Sequence, residues 1–279
     1  MSGTTSGVRP RLVATDLDGT LVHSDGTITP RSRAALRAVE EAGLVVVFVT
    51  GRPLRWAAQV FDDVGGHGLA IAANGALLWD VGADRARLER PLLTEDLREV
   101  ARRIRAAVPG SGFAIETLTG MDVDDSFMPR YPLPETSRRG PLEEILDRPA
   151  YKLLTRHEEL APQEFWDRAR DAVGDLATVT WSSTTALLEI SAAGVTKAST
   201  LELLCDDLGI TAAEVVAFGD MPNDLPMLGW AGTAYAMENA HPTVLAAADR
   251  VAPHHDRDGV AVVLEELLAG LEDRPTGTC

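Results

Sequence analysis

Apolar runs of strand length alternate with amphipathic segments of helix length over the first quarter of the chain: RLVATD, PRSRAALRAVEEAG, LVVVFVT, PLRWAAQVFDDVG and GLAIAA. A strand with no polar face needs cover on both sides, and strands joined through helices run parallel. The order therefore predicts a parallel sheet with helices on both faces. Pro30 near the start of the first helix and Gly43 past its end punctuate it as expected. The same grammar returns in TKASTLELLCDDLG, EVVAFGD, PNDLPMLG, TAYAM and GVAVVLEELLAGL, further layers of a doubly wound α/β sheet.

Between these stretches the texture changes to the strand-like pieces FAIETL, YKLLT, ATVTW and ALLEI and two helical patterns, EDLREVARRIRAAV and PQEFWDRARDAV, with Pro and Gly clustered from Met128 to Pro149. The organisation predicted is a flexible leader over residues 1–10, an α/β core over 11–83 and 190–279, and an inserted α+β unit over 84–189. A length of 279 residues suits a core carrying such an insertion.

Charge narrows the partners. Against 26 Lys and Arg stand 42 Asp and Glu, a net charge of −16, which repels nucleic-acid backbones and anionic membranes. No nucleic-acid or membrane partner is expected, whereas a small phosphate ligand stays open, because a bound cation and local donors set the potential inside a site. MSGTTSGVRP lacks the apolar core of a signal peptide, and no apolar run reaches the roughly 20 residues a membrane span needs. Two cysteines, Cys205 and Cys279, suggest neither a disulfide framework nor a zinc site and fit a reducing cytoplasm. A monomer is expected.

Ligands of open parallel sheets bind beyond the carboxyl ends of the strands. Asp16 and Asp18 close the first strand pattern, Thr50 the second, Asn74 the third and Asp220 a later one, so these residues should share one rim. Two adjacent carboxylates repel unless a cation lies between them, and a hard, oxygen-seeking ion such as Mg²⁺ is the natural occupant; an Asp-Gly turn is the competing reading. In VVVFVTGRP, Thr50 and Gly51 precede a Pro-started helix, an arrangement that suits a phosphate, although by itself Thr50 reads more simply as a cap of that helix. GDMPND adds Asn223 and Asp224 at another helix start, where acidic residues also serve as caps. Lys197 opens a helix against its dipole; it is either a surface residue or returns to neutralise the carboxylates or a phosphate.

DLDGT, TGR, the lone Lys197 and GDMPND, in that order, resemble the haloacid dehalogenase (HAD) superfamily of phosphohydrolases, and IAANGA, AMENA and DRDGVAVVLEEL resemble its Cof-type subfamily IIB. About ten residues separate Thr20 from the first helix, too few for a cap, whereas roughly a hundred follow Asn74 and Gly75. The resemblance implies a Rossmann-like HAD core with an inserted C2-type cap and a Mg²⁺-dependent phosphatase of small phosphorylated metabolites. It makes Asp16 the nucleophile that forms an aspartyl-phosphate and Asp18 the general acid, then base. Thr50, Gly51, Arg52, Asn74, Lys197 and Asn223 would hold phosphate or substrate. The metal would lie at Asp16, the Asp18 carbonyl and Asp220, with Asp224 orienting its waters. Ala198 and Glu238 depart from the glycines common in the family. A sugar phosphomutase, a catalytically decayed sugar-phosphate binding protein and, more remotely, a DxD glycosyltransferase are the competing functions. His254 and His255 read as solvated, His23 as lining the entrance, and Trp166 and Trp181 as cap packing. Glu116, Asp122, Arg130 and Lys152 are unranked candidates for substrate contact.

Overall fold

The computed structural model describes residues 8–64, 66, 68–181 and 185–272; most of the expected leader and Cys279 lie outside the described residues. In chain order the strands are β1 (Leu12–Thr15), β2 (Val45–Val49), β3 (Leu69–Ala72), β4 (Leu77–Asp80), β5 (Arg85–Glu89), β6 (Gly112–Glu116), β7 (Met121–Asp124), β8 (Arg139–Gly140), β9 (Lys152–Arg156), β10 (Ala177–Thr180), β11 (Leu187–Ala192), β12 (Val215–Gly219), β13 (Thr233–Met237) and β14 (Arg250–Ala252). They form an eight-stranded sheet, β14-β13-β12-β1-β2-β3-β4-β5, and a six-stranded sheet, β10-β11-β9-β6-β7-β8.

In the larger sheet β14 through β3 run parallel, as the continuous apolar runs predict. β1 lies between β2 and β12, so the chain winds outward from it in both directions. Right-handed crossovers then put the helices Pro30–Glu41 and Leu54–Asp63 on one face and Leu225–Trp230 on the other. The crevice at this reversal is where an open sheet binds its ligand. Phe48 and Phe218 lie buried on the strands flanking β1, and Phe218 stacks on Tyr235 with ring centroids 5.1 Å apart.

β4 and β5 form an antiparallel hairpin at the sheet edge that the sequence pattern does not announce. Every residue of β5 is exposed or half-buried, so no apolar run marks it. The core sheet thus extends through Glu89, past the expected crossing at 84, while β11 keeps the second sheet through Ala192, past the expected 189. Arg90 stands at the first crossing. Its guanidinium donates to Ser199 Oγ at 2.8 Å, Thr200 Oγ1 at 2.9 Å and the Gly194 carbonyl at 3.3 Å, tying both crossings to one helix start.

The second sheet has its own core. Phe113, Ile115, Leu153, Leu188 and Ile190 pack with Leu97, Ile104, Phe165 and Val173 from the helices Thr94–Ala107 and Pro162–Val173. The period-2 alternation of strands turns their neighbours to the opposite face. There Lys152, Leu154 and Arg156 of β9 join Glu116, Met121, Leu187 and Glu189 in lining a cavity shared with Asp16 and Asp18 of the first sheet. Between Met128 and Pro149 the chain forms only the two-residue β8 and one helical turn, Leu142–Ile145.

Candidate active site

Register fixes the site. Thr15 pairs with both Phe48 and Phe218, so the next residues outward, Asp16 beyond β1, Thr50 beyond β2 and Asp220 beyond β12, converge at one end of the sheet. The Asp16 amide donates to the Phe218 carbonyl at 3.0 Å. Gly19 makes the turn with φ of 76°, and a Cβ there would collide with the Asp220 carboxylate. Asn239 Nδ2 donates to the Gly19 carbonyl at 2.7 Å, and Thr20 Oγ1 donates to Asp220 Oδ1 at 3.0 Å.

Lys197, fully buried, is the first residue of the helix Lys197–Leu208, whose start is stitched by Thr196 and Ser199 in a reciprocal capping box. Its cost at the positive end of that helix is offset by two carboxylates: Nζ lies 2.5 Å from Asp16 Oδ1 and 2.5 Å from Asp224 Oδ1. The second Asp224 oxygen accepts the amides of Asp220 and Met221, each at 3.0 Å. The lysine and the loop thereby hold both Asp224 oxygens. Burial, and then the carboxylates of Asp224 and its neighbours acting against Lys197, raise Asp16 well above the usual carboxylate range. Asp220 is pushed up to about 7, by burial first and by Asp224 second. Lys197 is held charged, above its usual range, because the two aspartates outweigh its desolvation.

Arg52 clamps Asp18 through two bonds, Nε to Oδ2 at 2.7 Å and Nη2 to Oδ1 at 2.5 Å. Thr50 Oγ1 accepts the Arg52 amide at 2.9 Å, so the hydroxyl shapes the loop. Asn74, in the left-handed region at φ 55°, donates to Glu189 Oε2 at 2.5 Å and accepts from Asn223 Nδ2 at 3.1 Å. A Cβ on Gly51 would come within 3.0 Å of Asn74 Oδ1, which keeps this loop close-packed. Among the expected residues, Asp16, Asp18, Gly51, Arg52 and Asn223 line a cavity of about 690 Å³, while Thr50, Asn74, Lys197, Asp220 and Asp224 are buried and do not line it.

The far wall of the cavity belongs to the second sheet. Arg55 Nη2 bonds Glu116 Oε1 at 2.9 Å, and Lys152 Nζ bonds the Gly51 carbonyl at 2.5 Å and Glu189 Oε1 at 3.2 Å, so the two units meet through charge. Glu116 is 3% exposed, and among the described residues its Oε2 has no hydrogen-bond partner. Burial pushes it up to about 7 against the pull of Arg55 and Lys152. Trp56 and Tyr131 meet edge to face at 6.0 Å, and both line the cavity. Of the candidates from sequence, Glu116, Lys152 and Arg130 line it, and Asp122 instead takes Arg138 and Arg148 at 2.7 and 2.5 Å.

Sequence reasoning passed over Arg55, Trp56, Tyr131, Arg156 and Glu189. The last two carried a signal, as charged residues inside the otherwise apolar strands YKLLTR and ALLEI. Two side chains expected at the surface or entrance are braces. His255, half-buried, bonds the Val22 carbonyl through Nδ1 at 2.8 Å, and His23 Nε2 lies 3.1 Å from Asp258 Oδ1. Trp166 meets Trp181 edge-on at 5.9 Å within the cap, and Trp181 reaches His241 of the core at 5.7 Å.

Three buried carboxylates, Asp16, Asp220 and Asp224, bring ligand oxygens within 4.8 Å of one another. Lys197 neutralises part of this charge, and the surplus of hard oxygen donors matches a small divalent cation such as Mg²⁺.

Residues 13–264 match the profile of the haloacid dehalogenase-like hydrolases. The chain is 29% identical over 276 residues to the 5-amino-6-(5-phospho-D-ribitylamino)uracil phosphatase YcsE of Bacillus subtilis (strain 168), with 92% of this chain and 96% of that protein covered. It is 30% identical over 275 residues to the HMP-PP phosphatase of Serratia proteamaculans (strain 568), with 92% and 95% covered. Its fold is similar to that of SMU.1108c from Streptococcus mutans UA159, with a TM-score of 0.81 at 23% identity over 93% of this chain and 99% of that one. A haloacid dehalogenase-like hydrolase from Bacteroides thetaiotaomicron gives a TM-score of 0.75 at 25% identity over 93% and 100%.

Proposed function

Because the chain belongs to the Cof-type haloacid dehalogenase-like hydrolases and is a phosphoric monoester hydrolase, we propose that Asp16 is its nucleophile and that it cleaves small phosphorylated metabolites through an aspartyl-phosphate. The observation that carries the reading is a buried carboxylate at the carboxyl end of β1, bonded to a buried lysine and facing a cavity.

Lys197 holds Asp16 Oδ1, which leaves Oδ2 to attack phosphorus in line with the ester oxygen. The phosphorus–ester bond breaks, its electron pair stays on the leaving oxygen, and Asp18 supplies the proton. Water then attacks the aspartyl-phosphate, Asp18 recovers a proton from it, and phosphate and the Asp16 carboxylate are regenerated. Arg52, which clamps Asp18, turns to the incoming phosphate and frees Asp18 for this work. Lys197, Thr50, the Gly51 backbone and Asn223 complete the cradle, with Asn74 bracing Gly51 and Asn223. Asp16 and Asp220 through their carboxylates, and Asp18 through its backbone carbonyl, would hold Mg²⁺, with Asp224 fixing Lys197 and the loop. Bound there, the ion supplies neutralising charge for the phosphate oxygens.

Phosphate release from p-nitrophenyl phosphate tests this. Asp16→Asn is expected to lower turnover by about a thousandfold or more with the circular dichroism spectrum unchanged. Chelation by EDTA is expected to abolish activity and added Mg²⁺ to restore it. An Asn variant within about tenfold of the parent would remove Asp16 from the nucleophile's place, and activity indifferent to EDTA would remove the metal.

A further inference from the structure

If phosphate is held at the strand ends, the rest of the cavity must receive the group to which it is esterified. One strand face sets the far wall. Lys152, Leu154 and Arg156 of β9 succeed one another at two-residue steps, with Glu189 paired to Leu154 and Leu187 to Arg156. From Lys152 to Arg156 the strand covers ~13 Å at roughly 3.3 Å per residue. Its inner end is polar and committed, since Lys152 reaches Gly51 and Glu189. Its middle is apolar, built from Leu154 and Leu187 with Phe127 and Leu133 packed beside them.

The outer end is unlike the others. Arg156 is 8% exposed, yet among the described residues no hydrogen bond or ion pair reaches its guanidinium, and its Nε is buried without an acceptor. Its aromatic neighbour is Phe127, whose ring centroid lies 5.9 Å from Cζ. A ring face attracts a cation but accepts none of the five N–H donors. Arg130, the nearby second cation, is already paired with Glu158 at 2.6 Å. Burial first, and the Arg130 charge second, push Arg156 below the usual arginine range. Buried charges are ordinarily paired, so a guanidinium left without an acceptor on a cavity wall marks a place where an anion arrives with the ligand.

Resting on the phosphatase reading of the strand ends, we infer that Arg156 receives an anionic group carried by the leaving group. The substrates are then elongated phosphate monoesters with an apolar middle and a second anion, a carboxylate or a further phosphate, at the far end. The Arg fork suits either by paired N–H···O bonds.

The test uses two measurements. The full chain carrying Asp16→Asn is titrated calorimetrically with phosphate monoesters of graded length that end in a carboxylate, a phosphate or the neutral primary amide. The anion-ended members of matching length are expected to bind about tenfold or more tightly than the amide, and the better of the two identifies the anion. Adding Arg156→Met is expected to erase that preference while leaving amide affinity within about twofold, and Arg156→Lys to keep part of it. Equal affinity of anionic and neutral members for the protein that retains Arg156, or a preference that survives Arg156→Met, overturns the inference. Hydrolysis of p-nitrophenyl phosphate, which has no second anion, is measured on the unaltered chain. Its absence would strike the phosphatase reading alone.

Discussion

How far a buried charge in the site is answered by another decides its chemistry. Lys197 is shared by Asp16 and Asp224, so it screens Asp16 and anchors the loop that carries Asp220. Glu116 is answered by half: Arg55 takes one oxygen, and among the described residues no hydrogen bond reaches the other. Burial lifts its pKa from 4.5 to about 7, so the folded chain binds a proton there that the unfolded chain has released. The stability this proton contributes is complete below about pH 4.5 and is lost as pH rises through about 7. Urea unfolding of the parent and of Glu116→Gln across that range is expected to show the parent losing stability relative to the variant as pH rises. Carboxylates common to both proteins cancel in the difference, and a pH-independent difference would mean that Glu116 titrates normally.

At the scale of elements, the site depends on how strands end and helices begin. The helix Lys197–Leu208 starts at a fixed place because Thr196 accepts from the Ser199 amide and Ser199 Oγ accepts from the Thr196 amide. Thr196→Ala is expected to cost about 1 kcal/mol in denaturant unfolding, the usual effect of losing such a cap. A change below the error of the measurement would place the helix start under the control of Lys197 and Arg90 instead. These ends also explain what could be read from the chain. The runs closing on Asp16, Thr50 and Asp220 are buried on both sides, so burial and sequence pattern coincide and the rim was legible. The hairpin β4–β5 was not legible, because β5 alternates exposed and half-buried residues at a sheet edge. The cavity wall was half legible. Lys152 and Glu116 were singled out, but which face of β9 looks inward depends on its pairing with β6 and β11, strands distant from it in the sequence. Arg156 needed that register before its isolation could be noticed.

Among the described residues the two largest hydrophobic cores are one around Leu12, Phe48 and Phe218 and another around Phe113, Leu153 and Phe165, and between them lies a cavity bridged by ionic and polar contacts. Units built this way unfold with separable stability. Phe165→Ala, which empties a fully buried site in the second core, is expected to remove about 3–5 kcal/mol from that unit. Scanning calorimetry should show the loss in one of two transitions, and a single transition displaced as a whole would mean that the cores melt together. The division also bears on how such a chain can change over time. Leu153 belongs to the second core and Thr155 is fully buried, whereas Lys152, Leu154 and Arg156 between and beside them form the cavity wall. Alternate letters of one strand thus answer to different demands. On the mechanism proposed for Asp16, three of them can be rewritten for a new leaving group while the others keep the sheet on its helices, and the aspartates on the opposite sheet need not move. An invention in diet is open to this fold without a new invention in chemistry.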